Sequence, residues 1–168
     1  AFEKGNQTIV ALEVPILPSG EPHWETLTAM WQIVHAHQST GAIRSASTIG
    51  EGGIAANMTK MALGNRIGFE ITAGISDSLF IRQHGSLLVE IREGEDPEAL
   101  FGSLPYRVMG KARGTTSVGI APGVKMDLST LQAKWEQTLD RVFPITPVHS
   151  PERTDASVFA SGERSDDR

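Results

Sequence analysis

The sequence contains no cysteine, which excludes disulfide bonds, thiolate metal sites and cysteine nucleophiles. It also lacks any cluster of lysines or arginines, because its basic residues are scattered singly and the formal net charge is -5. A general nucleic-acid-binding surface is therefore not expected. No apolar run approaches the length of a membrane span, and no signal peptide precedes the first predicted strand. These absences favour a cytoplasmic protein with no membrane partner.

The composition that remains is typical of a globular protein, with 39% hydrophobic and 21% charged residues among 168. That length is sufficient to bury a core. Residues 146–168 differ, because they are mostly Pro, Ser, Asp, Glu and Arg and cannot bury enough apolar surface to become ordered. We predict one domain over residues 1–145 and a linker or disordered tail over 146–168. The chain does not begin with methionine, and we expect it to be a piece of a longer protein.

Hydrophobic periodicity predicts about six strands, three substantial helices and one short helix. Helices and strands alternate along the chain, but hairpin signals also occur, above all between Tyr106–Ala112 and Thr115–Ile120. This mixture predicts an α+β fold, with a mixed β-sheet of about six strands and helices mainly on one face. The predicted helices run from Pro22 to about Gln38, from the glycine turn before Ile54 to Gly64, from Asp96-Pro97 to Phe101, and from Asp127 to Phe143.

The most informative stretch reads as strand, glycine turn, helix, helix stop and strand between Ser45 and Ile71. Gly50, Gly52 and Gly53 remove side chains where the chain turns into the helix. A helix that starts in this way directs unpaired N–H groups and the positive end of its dipole at one spot. The pattern therefore predicts a phosphate or carboxylate site at the turn. The alternative is that these glycines serve only tight packing of helix on strand.

Two sharper nucleotide motifs fit this turn poorly. A P-loop needs Gly-Lys-Ser/Thr at the start of the helix, and here the sequence is Gly53-Ile54-Ala55. Gly50-x-Gly52-x-x-Ala55 fits the loose dinucleotide fingerprint, with Glu70 about twenty residues later. The chain after Glu70 does not repeat the βαβ pattern that this fingerprint requires.

No metal site is predicted from the sequence. His35 and His37 are two residues apart on a predicted helix, so they lie on different faces and do not form a metal pair. An acidic run, Glu93 to Glu98, is typical of a solvated turn followed by a helix start.

Two blocks of this stretch resemble phosphoribosylformylglycinamidine synthase, in its C-terminal AIR synthase-related domain and in the large single-chain form. They are Ser45-Ala-Ser-Thr-Ile-Gly-Glu-Gly-Gly-Ile-Ala55 and Lys60-Met-Ala-Leu-Gly-Asn-Arg-Ile-Gly-Phe-Glu70. Further matches follow in the same order at Gly85–Ile91, Gly114–Thr116, and from Leu128 through Trp135-Glu136 to Val142-Phe-Pro144. The resemblance covers roughly residues 7–145.

The resemblance implies an ATP-dependent C–N ligase of purine biosynthesis, of the glutamine amidotransferase type. In that family ATP phosphorylates the formamide oxygen of formylglycinamide ribonucleotide, and ammonia from glutamine displaces phosphate to leave the amidine. ATP and Mg are implied as cofactors of the parent enzyme, with none bound by this piece alone. The implied partners are an N-terminal AIR synthase-related domain and a glutaminase domain of the same parent chain, and a homodimer is a further option. The piece would supply part of the substrate and ATP cleft and be inactive alone.

The resemblance implies substrate-phosphate-binding roles for Gly50, Gly52 and Gly53, and for Arg66 unless it only helps to end the helix. It implies no catalytic residue and no metal ligand within this piece. Many members carry His-Asp shortly before the glycines, whereas Ala46 and Ser47 occupy that region here. Two alternatives stay open: a non-catalytic dimerisation or docking domain, and a related kinase or dehydratase domain of the same superfamily.

Overall fold

The computed structural model describes residues 1–74, 77–121 and 124–139. Residues 1–135 form one compact unit, and the predicted tail over 146–168 lies outside the described residues. Two short 3₁₀ helices, Asp77–Leu79 and Gln137–Leu139, accompany the main elements. In chain order these are β1 Thr8–Leu12, α1 Trp24–Ser39, β2 Ile43–Thr48, α2 Gly53–Asn65, β3 Gly68–Ile71, β4 Leu87–Ile91, α3 Pro97–Phe101, β5 Tyr106–Arg113, β6 Ser117–Ala121, β7 Val124–Asp127 and α4 Leu128–Glu136.

One sheet contains all seven of these strands, in the order β2-β4-β1-β5-β3-β6-β7. It is mixed, because β3 and β6 are parallel while the other neighbouring strands are antiparallel. The predicted α+β class and mixed sheet are therefore confirmed. The prediction of about six strands missed β7, because this strand has four residues with every side chain exposed, and such a segment carries no buried periodicity.

The predicted hairpin between β5 and β6 is wrong, because β3 lies between them in the sheet. β3 pairs antiparallel with β5 and parallel with β6. The Gly68 N–H at the start of β3 also donates to the Thr115 carbonyl at 2.6 Å. The chain therefore reverses direction at Gly114, between β5 and β6, but these two strands do not pair with each other.

The hydrophobic core has two parts, one on each face of the sheet. Alternate residues of β1 contribute to both, with Ile9 and Ala11 facing α2 and with Val10 and Leu12 facing α1 and α3. β4 is likewise buried along its whole length. The prediction of helices mainly on one face was therefore wrong. Strands that are apolar on both faces need cover on both.

The helices leave part of one face uncovered. The core beneath α1 and α3 draws its strand residues from β1, β2, β4 and β5, and no described residue of β3, β6 or β7 belongs to it. On the opposite face, α2 packs over the centre of the sheet, and Leu128 of α4 joins the same core. None of the helices in the described ranges has the length and apolar character that a membrane span requires.

Candidate functional site

The glycine turn lies between the end of β2 and the first residue of α2, as the sequence predicts. Gly52 is the residue before the helix, with φ 79°, and Gly53 is its first residue, with φ 66°. Residues that carry a side chain rarely adopt these left-handed backbone angles, so the backbone conformation itself requires glycine at both positions. Gly50 has no such angle, and no atom lies within 4 Å of the place where its Cβ would be.

The hydrogen bonds of the turn show which N–H groups remain available. The Gly53 N–H donates to the Gly50 carbonyl at 3.0 Å, and the Ala56 N–H donates to the Gly52 carbonyl at 3.3 Å. No side chain caps the helix. The N–H groups of Ile54 and Ala55 donate to no other residue in the described ranges. Ile54 is 0% exposed, so its N–H is closed to a ligand, whereas Ala55 is half-buried. The first turn of α2 thus keeps one accessible unpaired donor, at Ala55, beside the positive end of the helix dipole, and this arrangement favours an oxyanion.

The segment after the first 3₁₀ helix covers one side of this turn. A Cβ on Gly53 would lie 2.7 Å from the Phe80 carbonyl carbon and 2.8 Å from the Ile81 oxygen, and nearer still to the Leu79 oxygen. Gly53 therefore also serves the packing role that the alternative interpretation gave it. The two interpretations are compatible, because the packing contacts lie at Gly53 whereas the accessible unpaired donor belongs to Ala55.

An ion pair lies beside the turn. Arg82 Nη1 is 2.7 Å from Glu51 Oε1, and both side chains are more than half exposed. The pair leaves no net charge near the start of α2, and it was not predicted from the sequence. No local pattern could have revealed it, because 31 positions separate the two residues.

A buried asparagine fixes the turn to the sheet. Asn57 is 5% exposed; its Oδ1 accepts a hydrogen bond from the Ser47 hydroxyl at 2.9 Å, and its Nδ2 donates to the Thr48 carbonyl at 3.0 Å. These bonds join the first turns of α2 to the end of β2. The sequence analysis missed this role, although an amide next to Met58 on the apolar face of a helix was a usable signal.

An apolar groove of about 550 Å³ opens beside Gly52, between α2, the sheet and α4. Two aromatic residues on it are more than half exposed, Phe80 at 61% and Trp135 at 55%. Lys60 Nζ lies 5.4 Å from the centroid of the Trp135 ring, within range of a cation–π contact. The other residues that line the groove include Ala56, Thr59, Ile120 and Met126.

The structure does not bring Arg66 to the glycine turn. The two lie at opposite ends of α2, and a helix of 13 residues is about 20 Å long. Arg66 instead ends the helix in a left-handed conformation, with φ 55°, and its Nη1 donates to Gln132 Oε1 at 3.1 Å. This matches the helix-stop alternative.

The predicted stop at Gly64-Asn65 lies slightly too early. Both residues remain helical, and each packs against the start of the chain. Asn65 Nδ2 donates to the Phe2 carbonyl at 2.8 Å. A Cβ on Gly64 would lie 2.6 Å from the Ala1 Cβ, so close approach rather than a left-handed angle requires glycine there.

The donor set at the turn fits phosphate groups better than a metal ion. The Ala55 N–H can donate to an oxyanion, whereas no group of three or more His, Cys, Asp or Glu within the described ranges could hold a cation. Nor do the two histidines of α1 converge: His37 Nε2 lies 3.1 Å from the Leu100 carbonyl.

Comparison with known proteins gives structural relatives only. No protein-family model and no curated protein sequence matches this chain. PurLQS from Thermotoga maritima superposes with a TM-score of 0.62 at 10% identity, over 77% of this chain and 26% of that chain. T. maritima PurL complexed with ATP gives a TM-score of 0.57 at 10% identity over the same shares, and T. maritima phosphoribosylformylglycinamidine synthase II gives 0.56 at 9%, over 76% and 26%.

A relative with a different role, HypE from Escherichia coli, a hydrogenase maturation protein, has a TM-score of 0.54 at 12% identity, over 74% of this chain and 49% of that chain. The chain thus spans about a quarter of the PurL chains and about half of HypE. At these identities the similarity concerns the fold. The chain therefore shares the mixed α+β fold of these PurL and HypE structures.

Proposed function

We propose that this chain is a domain of phosphoribosylformylglycinamidine synthase, the ligase that makes the amidine from formylglycinamide ribonucleotide, glutamine and ATP. Two sequence blocks that resemble this family support the proposal, and so does the fold shared with PurL. The observation that carries it is the glycine turn before α2. Its two left-handed glycines and the unpaired Ala55 N–H that follows give the cleft a wall that receives a phosphate.

The domain's own contribution is to bind and orient a phosphate. The dipole of α2 and the Ala55 N–H stabilise negative charge at one spot. The Arg82 charge nearby is balanced by its ion pair with Glu51. Transfer of a phosphoryl group needs cations and carboxylates around the reacting atoms. The described residues contain no metal-holding cluster, so we expect no activity from this chain alone.

The remaining groups would come from the parent protein. We propose that an N-terminal AIR synthase-related domain closes the cleft, that Mg and ATP bind in the assembled enzyme, and that a glutaminase domain supplies ammonia in the cytoplasm. The apolar groove beside Gly52 is the surface that such a neighbouring domain would cover, because Phe80 and Trp135 are more than half exposed on it.

Binding of the ribonucleotide to two matched variants tests the proposal. Gly50→Asp introduces a carboxylate at the turn where there is open space and no left-handed angle, so the fold should tolerate it. Gly50→Asn has nearly the same shape without the charge. We expect formylglycinamide ribonucleotide to shift the amide NMR signals of residues 52–55. Gly50→Asp should weaken ribonucleotide binding about tenfold or more, whereas Gly50→Asn should leave it nearly unchanged.

Equal affinity of the two variants, or no shift near the turn at millimolar ribonucleotide, would contradict the proposal. One observation then favours a second candidate, a non-catalytic docking or dimerisation domain: Phe80 and Trp135 are more than half exposed on an apolar groove. That candidate predicts concentration-dependent self-association in sedimentation experiments. Trp135→Gln should reduce the self-association, and Gly50→Asp should not affect it.

A further inference from the structure

A second cleft, of about 450 Å³, lies on the uncovered half of the sheet. It is formed by β5, β3, β6 and β7 on the face opposite α2. The strand register places four residues of this face in one cross-strand row, in which Lys111 is opposite Glu70, Glu70 is opposite Gly119, and Gly119 is opposite Lys125. The row joins strands that are far apart in sequence.

The cleft is open because a glycine occupies the middle of this row. A Cβ on Gly119 would lie 3.4 Å from Glu70 Cγ, so even a methyl group would narrow the space between Glu70 and Lys125. Polar groups surround the gap: Thr115 and Ser117 contribute hydroxyls, and Asn6 lies at the rim with φ 67°. The floor is therefore backbone, and the walls carry hydrogen-bonding side chains.

Positive charge exceeds negative charge at this cleft. Arg113 Nε and Nη2 donate to Glu70 Oε2 at 3.1 and 2.5 Å, and Arg113 Nη1 has no partner among the described residues. Lys125 and Lys111 form no ion pair within the described ranges. The residues that line the cleft thus carry two cations, Arg113 and Lys125, against the one carboxylate of Glu70, in a chain whose overall net charge is -5. Lys111 belongs to the same row of the sheet but does not line the cleft.

We propose that this cleft binds a small molecule through a phosphate or carboxylate group, held over Gly119 between Arg113 and Lys125. An arginine fork and a lysine suit the oxygens of either group, and the hydroxyls of Thr115 and Ser117 supply further donors. The volume suits a metabolite-sized ligand. The cleft and the glycine turn lie on opposite faces of the sheet, so this site does not depend on the ligase proposal.

NMR titration with two simple anions tests the site, with one arm for each chemistry: inorganic phosphate and malonate. We expect at least one of them to shift the amide signals of Thr115, Ser117 and Gly119. Lys125→Gln should weaken that binding about tenfold, because it removes one of the cations that hold the anion. Glu70→Gln should tighten it, because it removes the carboxylate that repels the anion and frees the Arg113 fork. A variant that merely unfolded could not tighten binding.

Lys60→Gln is the matched control, because it changes the net charge as Lys125→Gln does but lies on α2, across the sheet. Its affinity for the anion should equal that of the parent chain. A shift with phosphate alone would assign a phosphate-bearing ligand, and one with malonate alone a carboxylate-bearing ligand. The proposal is overturned if neither anion shifts these amides, if shifts are confined to residues 52–55, or if Lys60→Gln weakens binding as much as Lys125→Gln.

Discussion

Replacing Gly53 by alanine should test whether the turn before α2 is packed as the structure shows. A Cβ at this position meets backbone, not a flexible side chain: the Phe80 carbonyl carbon at 2.7 Å and the Ile81 oxygen at 2.8 Å. The residue also has φ 66°. Alanine would therefore face two penalties, an unfavourable backbone angle and a clash with a segment that cannot move without breaking its own contacts.

The expected loss of stability follows from these two penalties. The left-handed conformation costs an L-residue roughly 1–2 kcal/mol relative to glycine, and forcing an extra methyl group into a packed site costs about 1–3 kcal/mol. Together they predict a decrease of about 3 kcal/mol in the free energy of unfolding, or roughly 10 °C in the melting temperature of a unit of this size. That is a large share of the roughly 5–15 kcal/mol available to a typical domain.

Gly50→Ala is the control, since it lies in the same turn with open space around the added methyl group. It should change the free energy of unfolding by less than about 0.5 kcal/mol. Urea denaturation followed by circular dichroism would measure both variants against the parent chain. If Gly53→Ala is as stable as Gly50→Ala, the segment that includes Phe80 does not pack on the turn, and the account of this site fails.

Three further changes have defined outcomes. Asn57→Ala should cost about 1–3 kcal/mol in urea denaturation, because it removes two hydrogen bonds made by a buried amide, and Asn57→Asp should cost more. A loss below about 0.5 kcal/mol for both would refute the role of this amide. Gly68→Ala places a Cβ against the Ser117 carbonyl, so the amides of β6 should exchange hydrogen faster, whereas unchanged exchange would argue against the β3–β6 pairing. Burial raises the pKa of the Glu90 carboxyl above 4.5, so the free energy of unfolding should fall as the pH rises from about 4.5 through the raised pKa. Urea denaturation at a series of pH values should find a smaller fall in Glu90→Gln than in the parent chain, and a fall as large as that of the parent chain would refute the assignment.

The elements that the sequence predicted well are those with strong local patterns. The first helix was expected from Pro22 to about Gln38, and α1 runs from Trp24 to Ser39. Asp96 caps α3 as predicted, with its side chain accepting from the Glu98 N–H at 3.2 Å. Caps and apolar stripes depend on residues a few positions apart, so they can be recognised without knowledge of the fold.

The order of the strands depends on long-range contacts, which local patterns do not reveal. β3 has four residues, and nothing within them indicates that they insert between β5 and β6. Their position is fixed by pairings such as Phe69 with Val118 and with Ala112. Helix placement was wrong for a related reason: a strand that is apolar on both faces predicts burial, but not which helix covers each face.

The two proposed sites differ in the same way. The glycine turn is local, because its left-handed angles and its free Ala55 N–H arise within a few consecutive residues, so the sequence alone indicated an anion site. The cleft around Gly119 is assembled from β5, β3, β6 and β7, and its charge row exists only once the register is known. In sequence, Lys111, Glu70 and Lys125 are ordinary scattered charges. A chain with a net negative charge can therefore present a locally positive surface, and composition excluded an extended basic surface but not a small anion site.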